Sequence, residues 1–295
     1  MLQAATRPGL KHRLQQDRIL LVPGIYDALT AGLAESAGFE ALYLSGAAVA
    51  YTRLGGPDLG LVSMSEMAEA IRLVRERVRL PLIVDGDTGY GNALNVERTV
   101  RTFERAGAGA IQLEDQTFPK RCGHLANKSL VSASEMAGKI RAAVASRESA
   151  ETLIIARTDA VAVEGLDSAI ARAALYREAG ADALFVEAPK TEAMLGEVVG
   201  RLGGGLPLMA NMVEGGATPL LRAEALQALG FRIVIFPGGI VRAIAKAAED
   251  YFASLAAHGT TAPFRDRMFD FAEINARVGT AEALARAARY DEPGQ

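Results

Sequence analysis

The chain has one cysteine, no tryptophan and three histidines in 295 residues. A single cysteine forms no internal disulfide, which excludes the stapled secreted scaffolds and makes a reducing cytosol the natural setting. Apolar runs such as LPLIVD and TLIIAR are too short to span a bilayer and end in charge, so no membrane role is expected. The opening stretch MLQAATRPGLKHRLQQDR lacks the apolar core and small-residue cleavage site of a secretory signal. Positive charge is not in excess: 32 Lys and Arg against 35 Asp and Glu give a net charge of -3, without the basic stripe that nucleic acid requires. No Pro-, Gly- or Ser-rich linker divides the chain, and no G-x-G-x-x-G fingerprint follows the first apolar run, which weighs against a nicotinamide enzyme.

What is present is one phrase repeated: a short apolar run ending in a polar residue or glycine, then an amphipathic helical stretch. Strands are expected near Leu20–Val22, Ala41–Leu44, Leu82–Asp85, Ala110–Leu113, Leu153–Arg157, Ala183–Val186, Leu206–Met209 and Arg232–Ile235. Helices are expected near Tyr26–Ala37, Ser65–Glu76, Asn95–Arg105, Ser134–Val144, Leu166–Glu178, Thr191–Val199, Pro219–Leu229 and Ile240–Leu255. Continuous apolar strands alternating with helices imply a parallel sheet covered on its outer face. A doubly wound sheet meets that requirement too. About eight units, and the near-repeat of ERAGAGAIQLED in YREAGADALFVEA, favour an α/β fold of the (β/α)8 TIM-barrel type as a single domain over 1–295. From about 240 to 295 the alternation breaks into a helical region whose Phe264, Met268, Phe269 and Phe271 can cap the barrel or pack on another subunit.

In a barrel the C-terminal strand ends converge on one face, and the polar residues there form a series: Ser45 and Gly46, Asp85 and Asp87, Glu114 and Asp115, Arg157 and Asp159, Glu187, Asn211 and Glu214. In VDGDTGYGNALN, Asp85 and Asp87 stand two apart and can face one side of an extended backbone. Hard oxygen ligands suit magnesium, with Asp85 as direct ligand and Asp87 and Glu114 holding waters; the alternative is helix capping and turn hydrogen bonds. In LEDQTFPKRCGHLANK, Lys120 and Arg121 precede Cys122, Gly123 follows and His124 comes next. A lone cysteine is most often a small buried apolar residue, yet these neighbours can tune a thiol to give or take a proton near neutrality. His12 and His258 lie in terminal regions outside the convergence. Arg157 can clamp a carboxylate bidentately or pair with Glu187 across the barrel mouth. The segment SGAAV offers the N–H groups of Ser45, Gly46 and Ala47 to a carboxylate or carbonyl oxygen.

In order along the chain, PGIYDALTA, YLSGAAV, VDGDTGYG, LEDQTFPKRCGH, ARTDA, VEAP and NMVEGGATP resemble the isocitrate lyase and phosphoenolpyruvate mutase superfamily, from about Val22 through Arg242. KRCGH is similar to the cysteine-bearing loop of its carbon–carbon lyases, which the phosphonate-acting relatives generally lack. The resemblance implies a barrel with a C-terminal helix exchanged between subunits, usually in a homotetramer. It also implies an enzyme holding Mg2+, or Mn2+ in its place, through Asp85, with Asp87 and Glu114 acting through water and Asp58 orienting metal-bound water; the cytoplasmic setting follows from the lone cysteine. Substrate contacts would come from Tyr43, Ser45, Gly46, Ala47, Arg121, Gly123, Arg157, Glu187, Asn211 and Arg242. Cys122 would protonate the departing carbanionic fragment, His124 and Lys120 would position or neutralise it, and Tyr43 is a candidate base. Where methylisocitrate lyases resemble NxTEFG, this chain has Asn211-Met212-Val213-Glu214-Gly215-Gly216, and a serine of theirs falls near Gly238. Losing such donors tilts the expectation from a tricarboxylate to a dicarboxylate, a 2-methylmalate or 2,3-dimethylmalate cleaved to pyruvate and a short acid. Methylisocitrate lyase, oxaloacetate hydrolase or decarboxylase, a phosphonopyruvate-processing enzyme and a non-enzymatic acid-binding barrel are the alternatives.

Overall fold

The computed structural model describes residues 9–123 and 127–290; His124 lies outside the described residues. Eight strands, β1 (Leu20–Ile25), β2 (Leu42–Leu44), β3 (Leu82–Asp85), β4 (Ala110–Glu114), β5 (Leu153–Thr158), β6 (Ala183–Val186), β7 (Leu208–Asn211) and β8 (Ile233–Phe236), run in sequence order. They close into one barrel, with β8 pairing parallel to β1. Closure decides against the doubly wound sheet.

Successive strand residues face opposite sides, and here both sides are apolar. Ala41, Tyr43, Ile83, Ala110, Ile155, Phe185, Met209 and Ile235 fill the interior, while Leu42, Leu44, Val84, Ile111, Leu113, Ala156 and Leu184 pack against the helices. That explains runs without polar alternation: each fully buried Leu, Ile or Val contributes about 1.5–3 kcal/mol on either face. The inward rows change character at their C-terminal ends. Ala41 and Tyr43 lead to Ser45, Ile83 to Asp85 and Asp87, Ala110 and Gln112 to Glu114, Ile155 to Arg157 and Asp159, Phe185 to Glu187, and Met209 to Asn211. Helix starts are fixed locally: Asp27 accepts from Thr30 N at 2.7 Å, and Ser63 and Glu66 form a capping box, each such cap contributing about 1 kcal/mol.

Three local departures have physical causes. After β2, Gly46–Val49 forms a helical turn continued by a π-helical turn over Ala50–Leu54; the alanine-rich sequence there carries no amphipathic period to announce it. The helix expected from Pro219 begins at Ala223, because Arg222 is still extended at ψ 152° and Leu221 N–H donates to Met212 Sδ. Near the N-terminus, Leu10–Leu14 forms a short helix, and Leu10 belongs to the cluster that fills the barrel interior.

The chain clusters into two compact units, Met1–Val241 and Arg242–Gln295. In the second, Phe271–Val278 and Thr280–Ala288 are helices that bury no residue. Tyr251 packs edge-on against Phe264 at 5.5 Å between ring centroids. Among the described residues no helix is long and apolar enough to cross a membrane.

Candidate active site

The inward row ends meet at the C-terminal mouth. One oxygen each of Asp85, Asp87 and Glu114 lies within 4.8 Å of the others, all three residues being buried. Asp85 ends β3 and accepts from Gly46 N at 3.3 Å, from Asp87 N at 3.3 Å and from Gln112 Nε2 at 3.3 Å. A Cβ on Gly46 would stand 3.2 Å from Asp85 Oδ2, so glycine lets that N–H come close. Tyr43 donates its hydroxyl to Gln112 Oε1 at 2.9 Å. Asp87 and Tyr90 hold φ of 47° and 60° and Ala188, after Glu187, holds 59°. Left-handed backbone at side-chain-bearing residues costs about 1–3 kcal/mol each and persists where the surroundings impose it.

Lys120 stands over the triad. Its Nζ lies 2.5 Å from Asp58 Oδ1 and 2.8 Å from Asp87 Oδ1. Arg157, from β5, forks onto Asp159 with Nε to Oδ2 at 2.9 Å and Nη2 to Oδ1 at 3.0 Å, while Nη1 lies 3.2 Å from Glu114. Its Cζ stands 5.3 Å from the Phe185 ring centroid, a cation–π contact. Asn211 Nδ2 donates to Glu187 at 3.3 and 3.2 Å.

Carboxylates outnumber cations in this mouth, and the ionisation shows it. Burial, opposed by Lys120 and reinforced by Asp85 and Asp58, pushes Asp87 up to about 7. Burial likewise holds Glu114 well above the usual carboxylate range, with Arg157 offsetting only part. Although burial works against its charge, Lys120 is held well above its usual value by Asp87, Glu114 and Asp58. Burial and the charge of Asp85 hold the Tyr43 phenol far above its usual value. Three crowded, buried oxygen donors, two of them, Asp87 and Glu114, held back from ionising, fit a small hard dication such as Mg2+ or Mn2+, whose charge would relieve them.

The cysteine segment lies against the mouth. Cys122 is half-buried and its N–H donates to Asp58 O at 3.3 Å. A Cβ on Gly123 would sit 2.3 Å from Arg157 Nη2 and 2.8 Å from Glu187, so only glycine fits there without displacing them. Gln116 ties this segment to the triad: its Nε2 donates to Glu114 Oε1 at 2.9 Å and to Arg121 O at 2.8 Å, and its Oε1 accepts from Arg121 N at 3.0 Å.

The structure brings together Tyr43, Ser45, Gly46, Asp58, Asp85, Asp87, Glu114, Lys120, Cys122, Gly123, Arg157, Glu187 and Asn211, from the expected set, around the mouth. Ser45 is a helix cap, its Oγ accepting from Ala48 N at 3.3 Å. Arg121 and Ala47 are less buried, Arg121 being exposed. Arg242 is exposed at the start of the second unit. Sequence reasoning missed Gln112, although its place two residues before Glu114 puts it on the inward row. It also missed Gln116 and Lys128, for which the sequence carries no such signal.

The parallel eight-stranded barrel thus brings an acidic triad able to hold a metal ion and a buried arginine together at its C-terminal mouth. The phosphoenolpyruvate phosphomutase family model matches residues 10–256. The 2,3-dimethylmalate lyase of Eubacterium barkeri is 42% identical over 276 residues, covering 93% of this chain and 94% of that one. A 2-methylisocitrate lyase of Aeropyrum pernix is 47% identical over 275 residues, covering 92% and 88%. The structure of an oxaloacetate acetylhydrolase in complex with 3,3-difluorooxalacetate superposes with a TM-score of 0.91 at 33% identity, covering 99% of both chains. The chain therefore belongs to the phosphoenolpyruvate mutase and isocitrate lyase superfamily, and it is a lyase of that group.

Proposed function

We propose that this enzyme cleaves a 2-hydroxy dicarboxylate of the 2-methylmalate or 2,3-dimethylmalate type to pyruvate and a short carboxylic acid. The observation that carries it is the packing of Gly123, the residue after Cys122, on Arg157 and Glu187, Arg157 also touching the acidic triad. In 2,3-dimethylmalate the bond between C2 and C3 breaks and its electron pair stays on the C3 fragment, delocalised into that fragment's carboxylate. The 2-hydroxyl proton passes to a base and C2 becomes the carbonyl of pyruvate. The Cys122 thiol gives its proton to C3, releasing propionate.

Asp85, Asp87 and Glu114 would hold Mg2+ or Mn2+, which would supply positive charge to polarise the 2-hydroxyl and carboxylate oxygens and to lower the Tyr43 phenol toward a useful base. Arg157, oriented by Asp159 and Phe185, binds a substrate carboxylate, and the segment Ser45–Ala47 would offer N–H groups to the substrate's oxygens. Glu187, held by Asn211 Nδ2, stands beside Arg157. Lys120 offsets the charge of Asp58 and Asp87, and His124 would assist on the departing fragment. The buried Val213 and the turn glycine Gly238, after β7 and β8, offer no side-chain donors. That favours a small alkyl substituent over the extra carboxylate of methylisocitrate, because a buried carboxylate without donors costs about 1–3 kcal/mol or more.

Phe271 is 86% exposed and Leu284 65%, in helices that bury nothing of their own. We assign this face to a second copy of the chain in a homo-oligomer, a tetramer with exchanged C-terminal helices; light scattering of the native protein and of Phe271→Asp tests it. The test of the activity is turnover with Mg2+ of a panel of 2-methylmalate, 2,3-dimethylmalate, methylisocitrate, isocitrate, oxaloacetate and phosphonopyruvate, with products identified by mass. Preference for methylisocitrate, or hydrolysis of oxaloacetate alone, overturns the substrate assignment.

A further inference from the structure

Lys128 lies outside every substrate contact named above, yet it is 8% exposed. Its Nζ donates to Asp159 Oδ1 at 2.8 Å and also to the carbonyl of Gly123. Asp159 is the carboxylate onto which Arg157 forks. It is held in turn by the Asp115 side chain, which accepts from Asp159 N at 2.9 Å. One ammonium thus joins the segment carrying Cys122 to the partner of the carboxylate-binding arginine. Gly123 already fits Arg157 so closely that a single Cβ would collide, so a displacement of its carbonyl by a few tenths of an ångström moves the neighbouring Cys122.

We propose that Lys128 is a positioning residue: by clamping the Gly123 carbonyl to Asp159 it fixes Cys122 relative to Arg157, so that proton donor and carboxylate site are registered to one another. A buried lysine costs desolvation and rotamer entropy, which a surface lysine in the same segment would avoid. The Asp159 carboxylate already accepts two hydrogen bonds from Arg157. The geometry gives the second cation a use, because another of its three donors is spent on the main-chain carbonyl of Gly123.

The proposal rests on Cys122 being the proton donor only for its kinetic consequence; its structural content is tested separately. Cys122 is the only thiol in the chain, so its alkylation by iodoacetamide, followed by mass without substrate, reports the placement of this segment alone. Lys128→Met should raise that rate by about tenfold, as expected when a local contact holding a segment is lost. It should also lower kcat by about a hundredfold with KM changed less than about threefold, the pattern of an interaction needed for the chemical step rather than for binding. Lys128→Arg, which keeps the cation for Asp159 but cannot reproduce the compact reach to Gly123, should fall between. An alkylation rate unchanged in Lys128→Met, or in Lys128→Arg where the methionine variant does not fold, overturns the proposal. If the native enzyme turns over none of the panel but alkylation still responds to Lys128, the positioning role stands and the substrate reading falls.

Discussion

Glu114 and Asp115 are neighbours at the end of β4, and they do opposite things. Asp115 faces the helix layer, where it accepts from Thr158 Oγ1 at 2.7 Å, Tyr176 OH at 2.8 Å and Asp159 N at 2.9 Å, with Arg172 at 3.3 Å. Glu114 faces the mouth, crowded by Asp85 and Asp87 and only partly offset by Arg157. Burial is the same for both, 0% and 1% exposed. The difference is supply: the outer carboxylate has its donors built in, whereas the inner ones share too few and gain from a cation that arrives with function. A fully satisfied buried carboxylate stabilises the fold, and an under-supplied cluster marks the site.

The comparison breaks most visibly at Asp85. Asp85→Ala should reduce Mg2+-dependent turnover by roughly 10³–10⁴-fold while leaving the thermal midpoint of the metal-free protein unchanged or higher, since it relieves like-charge repulsion. Turnover within tenfold of native would remove the triad as the metal site. Asp115→Ala should show the reverse pattern, a loss of about 3–5 kcal/mol in urea unfolding from leaving Arg172 and two hydroxyls short of their partner, with Mg2+ affinity by calorimetry retained. A loss under about 1 kcal/mol would make the outer network ornamental to stability. Cys122→Ser should lower kcat by roughly 10²–10⁴-fold, the usual range for a general acid, without altering Mg2+ affinity; equal turnover would dismiss the thiol as proton donor.

A smaller effect sharpens the electrostatic side. Asp87 is raised from its ordinary 3.8 to about 7, so the metal-free folded protein holds a proton that the unfolded chain has released. That group's contribution to metal-free stability is therefore full at low pH and declines as pH rises from about 4 to about 7. A cation requires the carboxylate, so the rise in melting temperature on adding Mg2+ should grow across the same window. A Mg2+ increment that is flat or shrinks between about pH 4 and about pH 7 would remove Asp87 from the metal's surroundings. The smallest expected change lies far from any of this. Asp27→Ala, deleting the cap on Thr30 N, should cost about 1 kcal/mol and leave kcat alone.

Much of this was legible in order along the chain. The strand runs were placed within a few residues because burial on both barrel faces demands uninterrupted apolar sequence, and the inward rows ending in Asp85, Glu114, Arg157, Glu187 and Asn211 obey a simple alternation. The helical turns over Gly46–Leu54 carried no amphipathic signal, since the more buried residues stand together at Gly46–Ala50 and the exposed ones at Tyr51–Leu54 instead of alternating with a helical period. Gln116 and Lys128 sit in a loop, where position follows from partners distant in sequence rather than from any repeat.

The sequence by itself determined the alternating strand and helix units, the side of the barrel to which each strand-end residue points, and the family's motifs, because these follow from local periodicity and residue chemistry. Only the tertiary structure decided that Arg157 takes Asp159 and Glu114 as partners, that Lys120 bridges Asp58 and Asp87, and that Lys128 joins Gly123 to Asp159. Those choices depend on closing eight strands into a ring, which brings residues such as Asp58 and Lys120, 62 positions apart, within hydrogen-bond reach, a proximity that no pattern along the chain encodes.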